Sequence, residues 1–373
     1  MITIKEIHSK KEIKQFVKFP FSLYKNSKTW IPPIVSQEVD VFDKNSNPAF
    51  DTADAHFLLA YKNGKIVGRI AAIINWTEVR DQKIKKMRFG WYDVIDDIEV
   101  SRALLDKVNS IGQSHRLEFI EGPVGFSNLD KVGLVYEGFD HIGSMITWEN
   151  HPYYVSHLEA LGFKFEKGYT EAKFYHKNID PKPFIKVNNI IKKRYGFSTT
   201  RFTDTKQILP YTDEMFDVFG KSYEALESYV EITPRQRAYF KKKFIPFLNP
   251  EYVKFVFNKE QKLIGFGIVT PSYAEALLKN GGKLWPFGFR HILRAKKKSK
   301  KVMFYLIGIL PEYQKKGVPA IIFHEFYKEF TKKGAQEFLR GPELDNNKAI
   351  QQIWRHFKPE VYKRRATYRK DIV

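Results

Sequence analysis

VMFYLIGILPEYQKKGVPA, Val302–Ala320, is the stretch whose reading decides the fold. Its opening run, Val302–Ile309, is apolar without a break and of strand length, and Leu310-Pro311 ends it. From Val318 to Lys332, Ile321, Ile322, Phe326 and Phe330 recur at helical spacing. Between strand and helix stand Gln314, Lys315, Lys316 and Gly317. The first N–H groups of a helix have no intrahelical partner, and the helix dipole adds partial positive charge there. A glycine at that corner lets backbone approach a ligand closely, and two lysines raise the potential, so the corner suits a phosphate. A plain connecting loop accounts for the same letters, and the surrounding element order has to decide.

Upstream, Lys10–Val17 reads as a first helix and Pro32-Pro33 as an extended loop. His56–Asn75 reads as a hairpin turning at Asn63-Gly64, because Asn-Gly readily takes positive φ. MRFGWYDVID follows as a strand, Val100–Ile111 as a helix, Leu117–Gly125 as a short strand and Tyr153–Leu161 as a helix. FKFEKGYTEAKFY, Phe163–Tyr175, is expected to close this half as a hairpin. The prolines Pro181 and Pro183 mark a linker, followed by a basic helix at Phe184–Tyr195. The order then repeats. Tyr252–Thr270 parallels His56–Asn75, with Lys262-Leu263-Ile264-Gly265 matching Lys65-Ile66-Val67-Gly68, and QEFLRGPEL echoes LEFIEGPVG. We expect one αβ unit used twice, in domains 1–180 and 181–373, with an insert at 272–301 in the second copy.

Composition agrees with packed cores: 373 residues, 43% hydrophobic and 16% aromatic, more than one typical core. The chain has no cysteine, which excludes disulfides, thiolate zinc sites and a cysteine nucleophile. No His/Asp/Glu cluster has metal-ligand spacing, and we expect no metal. MITIKEIHSKKEIK has no apolar core of a signal peptide, and Val302–Ile309 is too short to span a bilayer. A cytoplasmic protein is expected. The net charge of +21 attracts polyanions, whether nucleic acid, acidic lipid or a phosphorylated cofactor.

LPEYQKKGVPA resembles the acyl-CoA motif of GNAT acyltransferases, Gln/Arg-x-x-Gly-x-Gly/Ala after the fourth strand. Gln314 and Gly317 match; Pro319 departs and removes one N–H donor. The resemblance extends over both halves. It implies an α/β fold of two GNAT-like domains, each a mixed, mostly antiparallel sheet flanked by helices. The first half has MRFGWYDVIDDIEV where a motif would stand, and its Asp93, Asp96, Asp97 and Glu99 would repel a pyrophosphate. FGWYDVIDD, EGPVGFSNLD, LVYEGFD and HPYYVSHLEALGF are similar to segments of a bacterial two-GNAT group linked to N-acylation of long-chain sphingoid bases.

The resemblance implies transfer of an acyl group from acyl-CoA, or from an acyl-carrier-protein phosphopantetheine, to an amine. It assigns Leu306, Ile307, Gly308, Ile309 and Leu310 to pantetheine pairing, and Gln314, Lys315, Lys316, Gly317 and Val318 to the pyrophosphate. Asn346 or Asn347 could bond the pantetheine. Glu343 and Asp345, just past the fifth strand, are the nearest carboxylates for a general base, although Asp345-Asn346-Asn347 also reads as a helix N-cap cluster. Trp354 stands where the family has its proton-donating tyrosine, leaving Tyr305, Tyr313 and Tyr362 as substitutes. His141 and His291 sit in loops that would let them titrate near neutrality.

Between Glu275 and Glu312 there is no acidic residue, while Lys279, Lys283, Arg290, Arg294, Lys296, Lys297, Lys298, Lys300 and Lys301 fall there beside Trp285, Phe287 and Phe289. This 279–301 stretch fits peripheral contact with an anionic membrane, less readily RNA, and equally a solvated loop over a hydrophobic groove. Two other functions fit the chain: a non-catalytic RNA- or membrane-binding module, and aminoacyl transfer from charged tRNA by a Fem-type ligase.

Overall fold

The computed structural model describes residues 1–127, 129–225 and 229–372. In the first half the strands are β1 (Ile2–Glu6), β2 (Ala53–Lys62), β3 (Lys65–Asn75), β4 (Lys86–Val94), β5 (Phe119–Gly122), β6 (Leu134–Glu137) and β7 (Lys164–Tyr175). Helices α1 (Lys10–Leu23), α2 (Val35–Val41), α3 (Ile98–Ser114) and α4 (Tyr153–Ala160) accompany them. The second half carries β8 (Ser198–Arg201), β9 (Val253–Phe257), β10 (Leu263–Pro271), β11 (Lys301–Ile309), β12 (Glu337–Arg340), β13 (Glu343–Leu344) and β14 (Glu360–Asp371). Its helices are α5 (Lys182–Tyr195), α6 (Thr212–Tyr223), α7 (Pro234–Phe244), α8 (Ala274–Asn280), α9 (Gly288–Lys298), α10 (Val318–Lys333) and α11 (Lys348–Trp354). None of the described helices is long and apolar enough to cross a membrane.

Local chemistry sets the element ends. Ser9 and Glu12 form a reciprocal cap on α1, and the β2–β3 turn takes positive φ at Asn63 (52°) and Gly64 (73°) as the hairpin reading requires. The repeat also has a packing basis. A Cβ on Gly68 would stand 2.9 Å from Val100 of α3, and one on Gly265 would stand 2.8 Å from Val318 of α10. In each half the glycine lets the first turn of the helix after the fourth strand lie against the sheet.

All the strands join in one sheet, ordered β1-β2-β3-β4-β5-β14-β7-β12-β11-β10-β9-β8, with β6 beside β14 and β13 beside β7. β14, from the second half, fills the place next to β5 of the first, and β7, from the first, lies next to β12 and β13 of the second. The exchanged strands run antiparallel to one another from Glu360↔Lys173 to Arg369↔Lys164. This corrects the hairpin expected at Phe163–Tyr175. The segment stays extended through Gly168, because the pairing partner arrives from the far end of the chain.

The seam is sealed by buried charge. Arg365, fully buried, donates from Nη2 to Glu149 Oε1 at 2.7 Å and from Nε to Glu171, while Lys363 Nζ donates to Glu149 Oε2 at 2.6 Å. Removing one partner of a buried pair strands the other charge, at a cost of about 3–5 kcal/mol. Arg365→Met should therefore lower stability by that amount. Arg369→Met, at an exposed pair on the same strand, should cost about 1 kcal/mol or less. Urea unfolding followed by tryptophan fluorescence separates the two, and equal losses would deny the seam its role.

Candidate active site

β11 and β12 run parallel only from Lys301↔Glu337 to Phe304↔Arg340. Beyond Phe304 the strands part, whereas β11 stays paired with β10 as far as Ile309↔Gly265. A register shift between Ile268 and Val269 leaves Tyr305 as an extra residue in β11, a bulge where the notch opens. Backbone groups alternate sides along a strand. Leu310 donates back to Ile264 O of the β10 side, while the carbonyls of Ile307 and Ile309 face the notch. Of Leu306–Leu310, then, Ile307 and Ile309 present backbone to the notch, and Leu306, Gly308 and Leu310 present theirs to β10.

At the head of β11, Pro311–Tyr313 forms a single 3₁₀ turn. Gln314 Nε2 donates to Ile309 O at 3.3 Å, tying the turn to the strand edge. Gly317 takes φ 76° and leads into α10 at Val318, with Pro319 in the first turn. A Cβ on Gly317 would meet Ile191 of α5 at 2.9 Å, so glycine here also serves close packing. Among the described residues the N–H groups of Lys315, Gly317 and Val318 meet no acceptor; that of Lys316 is used by Tyr313 O at 3.0 Å. Three free donors with two lysines fit a diphosphate, one donor fewer than the Lys315–Val318 run promised.

Glu343 lies across the notch. β13 pairs it with Thr170 of β7, so a strand of the first half sets its place. Arg340 donates to its carboxylate, and Trp354 Nε1 donates to Oε1 at 2.8 Å. The Arg340 guanidinium stacks 5.0 Å above the Trp354 ring. Burial raises the Glu343 carboxyl above its ordinary value, against the opposing pull of Arg340. Facing it is Tyr223, the last residue of α6, whose Oη donates to Ile307 O at 3.1 Å. Burial, then the nearby Glu343 charge, pushes the Tyr223 phenol up to about 12. Neither Tyr223 nor Arg340 stood out in the sequence. Arg340 had a local signal, a cation three residues before Glu343, whereas nothing near Tyr223 points to a site 84 residues downstream.

The remaining candidates divide. Tyr305 buries a hydroxyl with no partner among the described residues and turns toward a cleft. Tyr313 lies under Lys316 Nζ at 4.5 Å, by the phosphate corner. Tyr362 donates to Glu171 at 3.1 Å in the seam, away from the notch. Asp345 is exposed and accepts from Thr170 Oγ1 at 2.6 Å on the rim of β7. Asn347 accepts from the Ile350 N–H at 3.2 Å and caps α11, and Asn346 gives its carbonyl to the Lys348 N–H at 2.9 Å. His141 packs edge-on to Tyr362, and His291 lies on α9.

Beside Tyr305 lies a small, partly open cleft. Its walls are apolar and come from both halves: Met145 and Ile146 from one, Phe244, Phe247, Tyr273 and Met303 from the other. The corresponding notch of the first half is filled. β4 leaves β5 after Arg88↔Glu121, yet Tyr154 Oη accepts from the Val94 N–H at 2.9 Å and Tyr153 Oη donates to Val94 O at 2.7 Å. Asp97 places its own carboxylate at the head of α3, 3.1 Å from the Glu99 N–H.

No family model matches the chain. It is 25% identical to Protein YghO of Escherichia coli (strain K12) over 98% of this chain and 94% of that one. It is 25% identical to a bacterial ceramide synthase of Caulobacter vibrioides (strain NA1000 / CB15N) over 81% and 79% respectively. Among solved structures, a tandem GNAT protein from the clavulanic acid biosynthesis pathway superposes with TM-score 0.58, at 10% identity, over 100% of this chain and 99% of that one. The chain has the tandem GNAT fold.

The pH behaviour of Glu343 is directly measurable. Carbon-13 carboxyl NMR, with Glu343→Gln as the assignment control, should show this group titrating above about 4.3, the ordinary glutamate value. A lower value would make Glu343 merely the ionic partner of Arg340.

Proposed function

We propose that the chain is an N-acyltransferase that moves an acyl group from acyl-CoA to an amine carried on a long-chain lipid, with its chemistry in the β11–β12 notch. The observation that carries this reading is the parted strand pair, with free N–H donors at one end and a buried, elevated carboxyl across it. The tandem GNAT fold and the distant ceramide synthase relative support acyl transfer in general. The apolar cleft supports a hydrocarbon chain on one of the reactants. Residues 1–180 and 181–373 are then two GNAT-like repeats, of which the second binds the donor and the first, its notch filled by Tyr153 and Tyr154, serves as a wall.

Each residue has a definable task. The N–H groups of Lys315, Gly317 and Val318 and the lysine side chains hold the diphosphate. Ile307 and Ile309 offer strand edge to the pantetheine arm; Tyr223 and Gln314 release the two carbonyls when it pairs. Bound CoA supplies the acyl group as a thioester, already activated toward attack. The Glu343 carboxylate accepts the proton that the amine nitrogen loses as it bonds to the acyl carbon. Tyr223, neutral far above physiological pH, gives a proton to the departing sulfur. An acyl-carrier-protein donor would use the same strand edge without the adenine-proximal phosphate, so the lysine corner favours CoA.

Two measurements test this. CoA at about 100 times its dissociation constant should stabilise the chain by about 2.7 kcal/mol in a thermal-shift assay. Lys315→Glu, at an exposed position, should abolish most of that gain, and an undiminished shift would remove the diphosphate from this corner. Glu343→Gln should lower kcat by about 10²–10⁴-fold while leaving the CoA shift intact. In the parent, the rate should climb with pH through the raised Glu343 pKa, because only the ionised form can take the proton. The Gln variant should lack that limb.

A further inference from the structure

We propose that the 281–298 segment docks on an anionic lipid bilayer and seats the mouth of the apolar cleft there; this rests on reading that cleft as the site of a lipid chain. The segment forms α9 and the turn before it, and its residues separate by face. Gly288 and Ile292 are buried, and Ile292 and Ala295 pack with Tyr273, Ala274, Phe247 and Met145. Those last four also wall the cleft. The inner side of α9 therefore packs on residues that wall the cleft.

Its outer side is left open by the described residues. Trp285 is 80% exposed, Phe287 61%, Leu293 51% and Phe289 38%. Phe289 and Leu293 are one helical turn apart, and Trp285 stands 5.7 Å from the Phe289 ring, so the apolar groups form one patch. Arg290 and Arg294 flank that line, and Arg290 lies 5.4 Å over the Phe287 ring. Of the nine cations between Glu275 and Glu312, Lys301 is paired, with Glu275 and Glu337, and Lys296 Nζ donates to Pro246 O. The other seven form no ion pair among the described residues. Aromatic rings bordered by unpaired cations match the two layers of an anionic bilayer surface, rings at the headgroup boundary and charges among the phosphates. Single exposed apolar residues are ordinary on protein surfaces, but a contiguous patch framed by one sign of charge is not.

The geometry fits the proposed reaction. The phosphate corner sits at the end of β11, after Ile309, and α8–α9 precede its start, at Lys301. A nine-residue strand is roughly 30 Å long. The water-soluble donor and the lipid would thus reach the notch from opposite ends of one strand.

The test is flotation of the full chain with phosphatidylcholine vesicles, with and without phosphatidylglycerol, at low and high salt. The parent should partition onto anionic vesicles at least tenfold better than onto neutral ones, and salt should weaken this. Trp285→Ser combined with Phe287→Ser and Leu293→Ser should reduce partition at least tenfold. Arg290→Glu with Lys297→Glu should do the same. All five positions are exposed, so melting temperatures should stay near the parent's. A parent that ignores anionic vesicles, or an aromatic variant that floats like the parent, overturns the proposal. So does retention on single-stranded RNA that is lost in these variants without any vesicle binding. The CoA thermal shift, read on the same samples, should survive in the docking variants. Its absence in a parent that still floats would count against acyl transfer alone.

Discussion

The structure depends on the pairing of β7 with β14, two strands that each half lends to the other's neighbourhood. Their register is held by Arg365 between Glu149 and Glu171 and by Lys363 on Glu149, all buried. A one-residue slip would turn these side chains to the other face and leave charges in a dry interior. The same register seats β13, since Glu343 and Leu344 pair with Thr170 and Tyr169. The proposed base of the second half is thus positioned by a strand of the first. Glu343 is held by its own half through Arg340 and Trp354 and by the other through Thr170, and so the proposed active site belongs to the assembled chain.

What could be read from the letters follows from how far apart the interacting residues lie. β11 and the helix after it were visible because apolar runs and helical spacing are local. The duplication was visible because Gly68 and Gly265 do the same job, letting α3 and α10 touch the sheet. The hairpin at Phe163–Tyr175 was misread for the opposite reason. Its alternating pattern with a central glycine fits a turn, and the true partner of Glu171 lies 194 residues away at Arg365. The site shows the same division. Glu343 is proposed from its nearness to a strand end, and Gln314 to Val318 from a motif. Tyr223 has no such signal, because only the packed sheet brings the end of α6 to Ile307. Asp345 and the two asparagines resolve into rim and cap, the local roles their side chains favour.

The chain's cations have two destinations, and they are energetically different. Inside, Arg365, Lys363, Arg88 and Lys86 are matched by Glu149, Glu171, Glu78 and Glu121, which specifies register and adds nothing to the surface field. Outside, the cations of 279–300 lack acids, so their field extends into solvent over roughly 8 Å at physiological salt. A uniform coat of charge would favour any polyanion. Concentration beside exposed rings, next to an apolar cleft, favours a surface that is both charged and oily.

The two notches of the sheet differ in how far their own side chains fill them. In both, the fourth strand parts from the fifth after three or four paired residues, so the fold supplies the opening twice. In the first half, Val94 has both backbone groups taken, by Tyr154 and Tyr153, and Asp97 occupies the head of the helix. An incoming ligand would have to displace one buried and one half-buried phenol and approach a carboxylate. In the second half, a single phenol holds Ile307 O, and the helix head is flanked by lysines rather than aspartates. Exchanging one hydrogen bond for another at an open edge costs little. Stripping the buried Tyr154 phenol of its partner costs the desolvation of that group. That asymmetry frees the first half to spend its surface on the cleft wall at Met145 and Ile146 and on the strand that carries Glu343 into place.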